Sequence, residues 1–139
     1  MKSDSENLNH AFIEFYEKLS SWELKIVKDK GISLTLIHAV EVLGAFGAMP
    51  MKELAIKVGI TTGTLTVLVD NLTKAKLVER VPHGTDRRSI LVKLTEQGTK
   101  LFQEHDALHL KLTKQLTAGF NEEEVQLLNK LMGRVNNAF

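Results

Sequence analysis

Two histidines four residues apart, His105 and His109, and a pair of adjacent arginines, Arg87 and Arg88, are the residues of this 139-residue chain best suited to do chemistry. On a helix, an i, i+4 pair places its side chains about 5–6 Å apart on one face, so both imidazoles can grip one ion, with Zn–N distances of about 2.0–2.1 Å. The arginines belong to Asp86-Arg87-Arg88-Ser89-Ile90-Leu91-Val92-Lys93-Leu94-Thr95, a polar tip running into an alternating strand and then a helix-capping threonine. A core has no use for guanidinium groups at such a tip, whereas phosphate does. A third set is the threonine-rich run Thr61, Thr62, Gly63, Thr64, Thr66, where Thr61 caps an apolar pattern of Leu65, Leu68 and Leu72.

The elements that must position these residues follow from apolar spacing. Leu8, Phe12, Phe15, Leu19, Trp22 and Ile26 predict a helix over about Asn7 to Asp29, broken by Gly31. Ser33 caps a second helix with inner residues Leu34, Ile37, Val40 and Leu43, ending near Gly44 to Gly47. After a short extended link, Ala48 to Met51, a short helix runs to Val58 and Gly59 turns the chain into a helix from Thr62 to about Ala75. Leu77–Val81 and Ile90–Leu94 read as strands joined by a loop of turn formers from Pro82 to Ser89, the candidate wing. A long helix should begin at Thr95, carry Leu101, Leu108, Leu112 and Leu116, and stop near Gly119. Asn121 then caps a last helix with the seam Val125, Leu128, Met132 and Val135.

The expected class is therefore mainly α with a small β wing. It is a single domain with a winged helix-turn-helix over residues 33–94, and long terminal helices, 1–30 and 95–139, that form a dimerisation region. A small winged-helix core cannot cover those terminal stripes, so burial against a second copy in a twofold homodimer is the economical reading; the alternative is an intramolecular three-helix packing. No apolar run approaches the roughly 18 residues of a membrane span, and Met1-Lys2-Ser3-Asp4-Ser5-Glu6 lacks a signal segment, so the expected location is the cytoplasm. Without cysteine there is no disulfide, thiolate zinc site or thiol switch. The net charge is only +1, but between Ala48 and Leu94 eight basic residues face four acidic ones, so the centre is basic and the ends are acidic. Such a centre suits a polyanion, although a solvated charged surface is the plainer explanation.

Over nearly its whole length the chain resembles the multiple antibiotic resistance regulator (MarR) family of bacterial transcription factors. The resemblance rests on Asp86-x-Arg88 followed by Leu94-Thr95-x-x-Gly98, and on Glu53-Leu54-Ala55, Gly59, Thr64-Leu65-Thr66 through Leu72 and Leu77-Val78-Glu79-Arg80. It implies a repressor on pseudopalindromic double-stranded DNA. The helix from Thr62 would lie in the major groove, with Thr61, Thr62, Gly63, Thr64, Thr66, Val67 and Lys74 at the duplex, and the wing arginine, Arg88, would reach the neighbouring minor groove, with Arg87 beside it at the duplex and mattering less. Asp86 would brace the wing arginine, where the alternative is a solvent-exposed turn aspartate. Val67 stands where many relatives carry a basic residue and Gly63 where a polar one is common. Val67 either touches a thymine methyl or is buried.

Within the family the resemblance is nearer to the zinc-responsive, zinc-uptake-repressing branch than to branches that bind phenolic ligands. His38, His105 and His109 fall where that branch has histidine ligands, and Glu23 matches its carboxylate if a short deletion precedes Gly31. Three imidazoles and a carboxylate would complete a tetrahedral shell for Zn, weakening as pH falls. The alternative is that these residues line a pocket for a phenolic or lipophilic effector. Glu104 matches a ligand of a second site, but Ile37 precedes His38 where that site has an acid, and the cysteine is missing, so no second site is expected. His10 and His83 are assigned to no metal. His105-Asp106-Ala107-Leu108-His109 also resembles the zinc-peptidase pattern H-E-x-x-H, yet aspartate is one methylene short, so a hydrolase is a remote alternative.

Overall fold

A computed structural model of the chain describes residues 1–84 and 86–139; of Asp86, Arg87 and Arg88 it describes the backbone path and not the side chains. The elements are α1 (Asp4–Lys30), α2 (Leu34–Phe46), β1 (Met49–Pro50), α3 (Met51–Val58), α4 (Thr62–Lys74), β2 (Val78–His83), β3 (Asp86–Leu94), α5 (Glu96–Leu116) and α6 (Glu122–Asn137). They make a mainly helical protein with one small antiparallel sheet, the expected class. Two compact units result, Met1–Phe102 and Gln103–Phe139, with the boundary inside α5.

In the first unit, Ser3 closes a capping box with Glu6, which starts α1 a turn earlier than the apolar seam alone predicts. Gly31 ends α1 at φ 70°, a left-handed conformation that an L side chain resists. Ser33 accepts a hydrogen bond from the Leu36 amide, as expected, and α2 then buries Ile37, Val40 and Leu43. These pack with Leu54 of α3, Leu65, Val69 and Leu72 of α4, and Val78 and Val92 of the sheet into one core. At Gly44 an added Cβ would collide with the Phe102 ring, so close packing there requires the absence of a side chain.

The sheet has the order β1-β3-β2. Strand pairing runs from Val78↔Leu94 to Pro82↔Ile90 and on to His83↔Asp86, with an irregularity between Pro82 and His83. The segment 82–89, expected as a loop, is thus mostly strand among its described residues, with Gly84 in a turn. Pro82 is tolerated because β2 is an edge strand, where no donor is needed on the outer side.

In the second unit, Asn121 forms a capping box with Glu124, and Glu122, Glu123 and Glu124 fill the first turn of α6, where the helix dipole favours negative charge. Yet α6 buries none of its residues: Leu127, Leu128, Leu131, Met132 and Val135 are all exposed. Among the described residues no helix is long and apolar enough to cross a membrane.

Candidate nucleic-acid interface and effector residues

Helix α4 is held from its inner side. Leu65, Val69 and Leu72 are fully buried and Leu68 nearly so, while Thr62, Gly63, Thr64, Thr66, Val67, Asp70, Asn71 and Lys74 are exposed. Thirteen residues at 1.5 Å each give a rod of roughly 20 Å, enough to cross a major groove about 12 Å wide. Its start is fixed by Thr61, whose hydroxyl accepts from the Thr64 amide at 3.2 Å. Its end is fixed by Leu77 N–H donating to the Leu72 carbonyl at 3.0 Å, with Lys76 in the left-handed region at φ 61°.

The same corner locks the sheet to α5. Thr95 donates its hydroxyl to the Lys76 carbonyl at 2.6 Å and its amide to the Leu77 carbonyl at 3.0 Å, and its hydroxyl accepts from Gly98 N–H. A Cβ on Gly98 would collide with the Leu77 carbonyl, which explains the glycine three residues after the threonine. The Leu94-Thr95-x-x-Gly98 signature is therefore a joint that orients the hairpin relative to α4.

The expected DNA-facing residues separate on inspection. Thr61, Thr62, Gly63, Thr64, Thr66, Val67 and Lys74 all lie at the start or on the exposed side of α4. Val67 is 61% exposed, so of the two alternatives at this position burial is ruled out. The threonines, however, are less open to bases than expected. Thr61 donates its hydroxyl to Thr64 Oγ1 at 2.9 Å, and Thr66 donates to the Thr62 carbonyl at 2.9 Å, so both protons are committed inside the helix. Arg87 and Arg88 lie on β3 at the hairpin tip. Their side chains, and with them the bracing by Asp86, lie outside the described residues.

Arg80 on β2, part of the family resemblance, has a role that the sequence does not assign. It donates to Asp70 of α4 at 2.6 Å and ties helix to wing. A basic residue two strand positions past Leu77-Val78 facing an aspartate was the available signal.

The effector candidates form a pair within each unit. In the first, Glu23 of α1 is buried, and its Oε2 lies 2.9 Å from His38 Nε2 of α2. Glu41, one turn beyond His38 on α2, places a carboxylate oxygen within 4.8 Å of that of Glu23. It was not foreseen, although its i, i+3 relation to His38 made it detectable. In the second unit, His105 is fully buried and His109 half-buried, with Nε2 to Nε2 at 3.2 Å and the rings edge-on. Two nitrogens on a tetrahedral zinc at about 2.0–2.1 Å each stand about 3.3 Å apart. The histidine pair matches that edge, and imidazole and carboxylate are both donor types that zinc accepts. His83 instead faces Ser89 at 3.3 Å and His10 faces Lys2 at 3.3 Å.

A helix-turn-helix whose second helix is bare on one side, followed by a two-stranded hairpin carrying arginines, defines a winged-helix DNA-binding protein. Residues 32–90 match the MarR family model. The HTH-type transcriptional regulator MhqR of Bacillus subtilis (strain 168) is 26% identical over 120 residues, covering 86% of this chain and 83% of that protein. A MarR family protein from Bacillus stearothermophilus has the same fold, with TM-score 0.86, 20% identity and coverage of 96% and 94%. FabT of Streptococcus pneumoniae, solved in complex with DNA, follows with TM-score 0.79, 23% identity and 96% of each chain. NadR in complex with 4-hydroxyphenylacetate has TM-score 0.78, 24% identity and coverage of 97% and 96%. The uncharacterized HTH-type transcriptional regulator YcgE of Bacillus subtilis (strain 168) is 30% identical over 104 residues, covering 75% of this chain and 68% of that protein. The chain belongs to the MarR family of transcriptional regulators, and its relatives are regulators, not enzymes, which disposes of the hydrolase alternative.

Proposed function

We propose that the chain is a homodimeric repressor of a pseudopalindromic operator, and that zinc, held by Glu23, His38, His105 and His109, tightens its grip. The observation that carries the DNA reading is α4, whose inner residues are fixed in the core while its outer face is bare. The DNA complex of FabT supports the same use of this fold. Homodimerisation is supported by the exposed apolar stripes at both ends of the chain: Leu8, Phe12 and Phe15 on α1, and Leu128, Leu131 and Met132 on α6. Two α4 helices in such a dimer would enter successive major grooves about 34–36 Å apart.

The zinc reading is supported by the 3.2 Å spacing of His105 and His109 and by the buried Glu23 with His38 on its carboxylate. A bound ion would supply a rigid link among its donors, favouring the conformer whose half-site spacing fits DNA. Linkage then requires operator DNA to tighten metal binding by the factor that metal tightens DNA binding, typically about 5–150-fold.

The test is duplex binding by the full-length protein with chelator, zinc, manganese and 4-hydroxyphenylacetate in parallel. Zinc should raise affinity, and His105→Ala and His109→Ala should each abolish the rise while leaving the circular dichroism spectrum intact. A full zinc response in both variants overturns the metal site. Release by 4-hydroxyphenylacetate with no metal response replaces zinc by an organic effector, the reading that NadR favours.

A further inference from the structure

We propose that α4 reads thymine methyl groups through Val67, which makes Val67 a specificity-determining residue. The inference rests on the DNA-binding reading above and adds the chemistry of the bases read.

Four observations converge on the outer face of α4. Val67 is a branched apolar side chain 61% exposed at the middle of a helix whose other large apolar residues are buried. One turn before it stands Gly63, where an added Cβ would meet nothing within 4 Å and where no positive φ demands glycine. Neither packing nor backbone geometry requires that glycine, so its effect is to remove a side chain that would hold the helix away from the groove floor. Next, the proton of Thr66 is given to the Thr62 carbonyl and that of Thr61 to Thr64, which leaves these residues unable to donate to base acceptors. Finally, Asp70, one turn after Val67, is neutralised by Arg80 at 2.6 Å. A carboxylate at that place faces poorly toward the paired acceptors O6 and N7 of guanine.

One turn from Val67 the exposed neighbours are Gly63, Thr64, Asp70 and Asn71, so Val67 is the apolar part of a face that also carries the polar groups of Thr64 and Asn71. In the major groove the one base feature that matches an apolar surface is the C5-methyl of thymine. Val67 set against it, with Gly63 allowing close approach, discriminates by excluding water from both methyl surfaces rather than by hydrogen bonding.

The experiment selects the operator from random duplexes with the full-length protein, then replaces each thymine of a half-site in turn by uracil, which deletes the methyl and keeps the pairing. One or two positions per half-site should lose roughly fourfold in affinity, the factor for burying one methyl group. In Val67→Ala that preference should vanish, the variant binding thymine and uracil duplexes alike at about the level of the wild type on uracil. Gly63→Ala should bind every duplex more weakly while unfolding at the same or a higher denaturant concentration, since alanine is the better helix former. Sequence-specific binding that ignores the methyl at every position, or a thymine preference that survives in Val67→Ala, overturns the proposal alone. Failure to select any duplex overturns the DNA-binding reading as well.

Discussion

Helices α4 and α6 are built to one plan and have opposite fates. Each carries an apolar seam at helical spacing and a side-chain cap at its N-terminus, Thr61 for α4 and Asn121 for α6. In α4 the seam residues Leu65, Val69 and Leu72 are sealed in the core, and in α6 the corresponding Leu128, Leu131, Met132 and Val135 are exposed. Periodicity says which face is apolar; it does not say what covers it. One helix is finished by its own chain, and the other presents the kind of surface that a second chain finishes.

The largest expected effect comes from breaking the finished helix. Leu72 is fully buried, so Leu72→Ala should cost about 2–5 kcal/mol, the range for deleting a buried leucine side chain and leaving a cavity. Urea denaturation should show the midpoint falling, with duplex binding lost along with the fold. A loss under about 0.5 kcal/mol would mean that the core relaxes around α4 and that the helix is less fixed than its burial implies.

A smaller effect on folding, with a larger one on assembly, is expected from the unfinished helix. Leu128→Asp combined with Leu131→Asp adds charge to an already exposed face and should leave the winged-helix part folded. On the homodimer proposed above, the variant should become monomeric in sedimentation equilibrium. Two linked half-site contacts would then be replaced by one, so operator affinity should fall roughly 100-fold or more. A variant that stays dimeric removes α6 from the interface and sends the search to the exposed stripe of α1.

The contrast also marks what was legible in the sequence. Seams and caps are local, so Ser33, Gly31, Gly59, Thr61 and Asn121 were found where they act. Proline, glycine and serine are turn formers, so residues 82–89 read as loop. Their pairing with a partner strand is a non-local fact that local propensity does not carry. The early start of α1 was hidden because Ser3 and Glu6 cap a turn that has no apolar residue. At the candidate site, residue types pointed to α4 and to the histidine pair, but the direction of a hydroxyl did not follow from them. Thr66 turns its proton back onto its own helix, and Val67, whose type suits core and surface equally, is exposed. For Arg80 and Glu41 the spacing offers only a hint, because the partners that give them a role lie on other elements, at Asp70 and near Glu23.

The smallest expected effect sharpens the comparison inside α4 itself, between its buried and its exposed side. Asp70 and Arg80 are 2.6 Å apart, but their side chains are 53% and 33% exposed, so the pair sits largely in water. Exposed ion pairs contribute about 0–1 kcal/mol, because solvent screening and the cost of ordering two side chains offset the attraction. Asp70→Asn should therefore shift the urea midpoint only slightly, in contrast with Leu72→Ala. Its effect on DNA should go the other way. Removing a carboxylate from the DNA-facing side and releasing a guanidinium adds a cation that phosphate can use, so affinity should rise several-fold at low salt. The slope of log affinity against log salt should steepen by roughly one. If the variant instead loses several kcal/mol of stability, the outer side of α4 holds the helix in place as much as the inner side does, and the division between a structural face and a reading face is wrong.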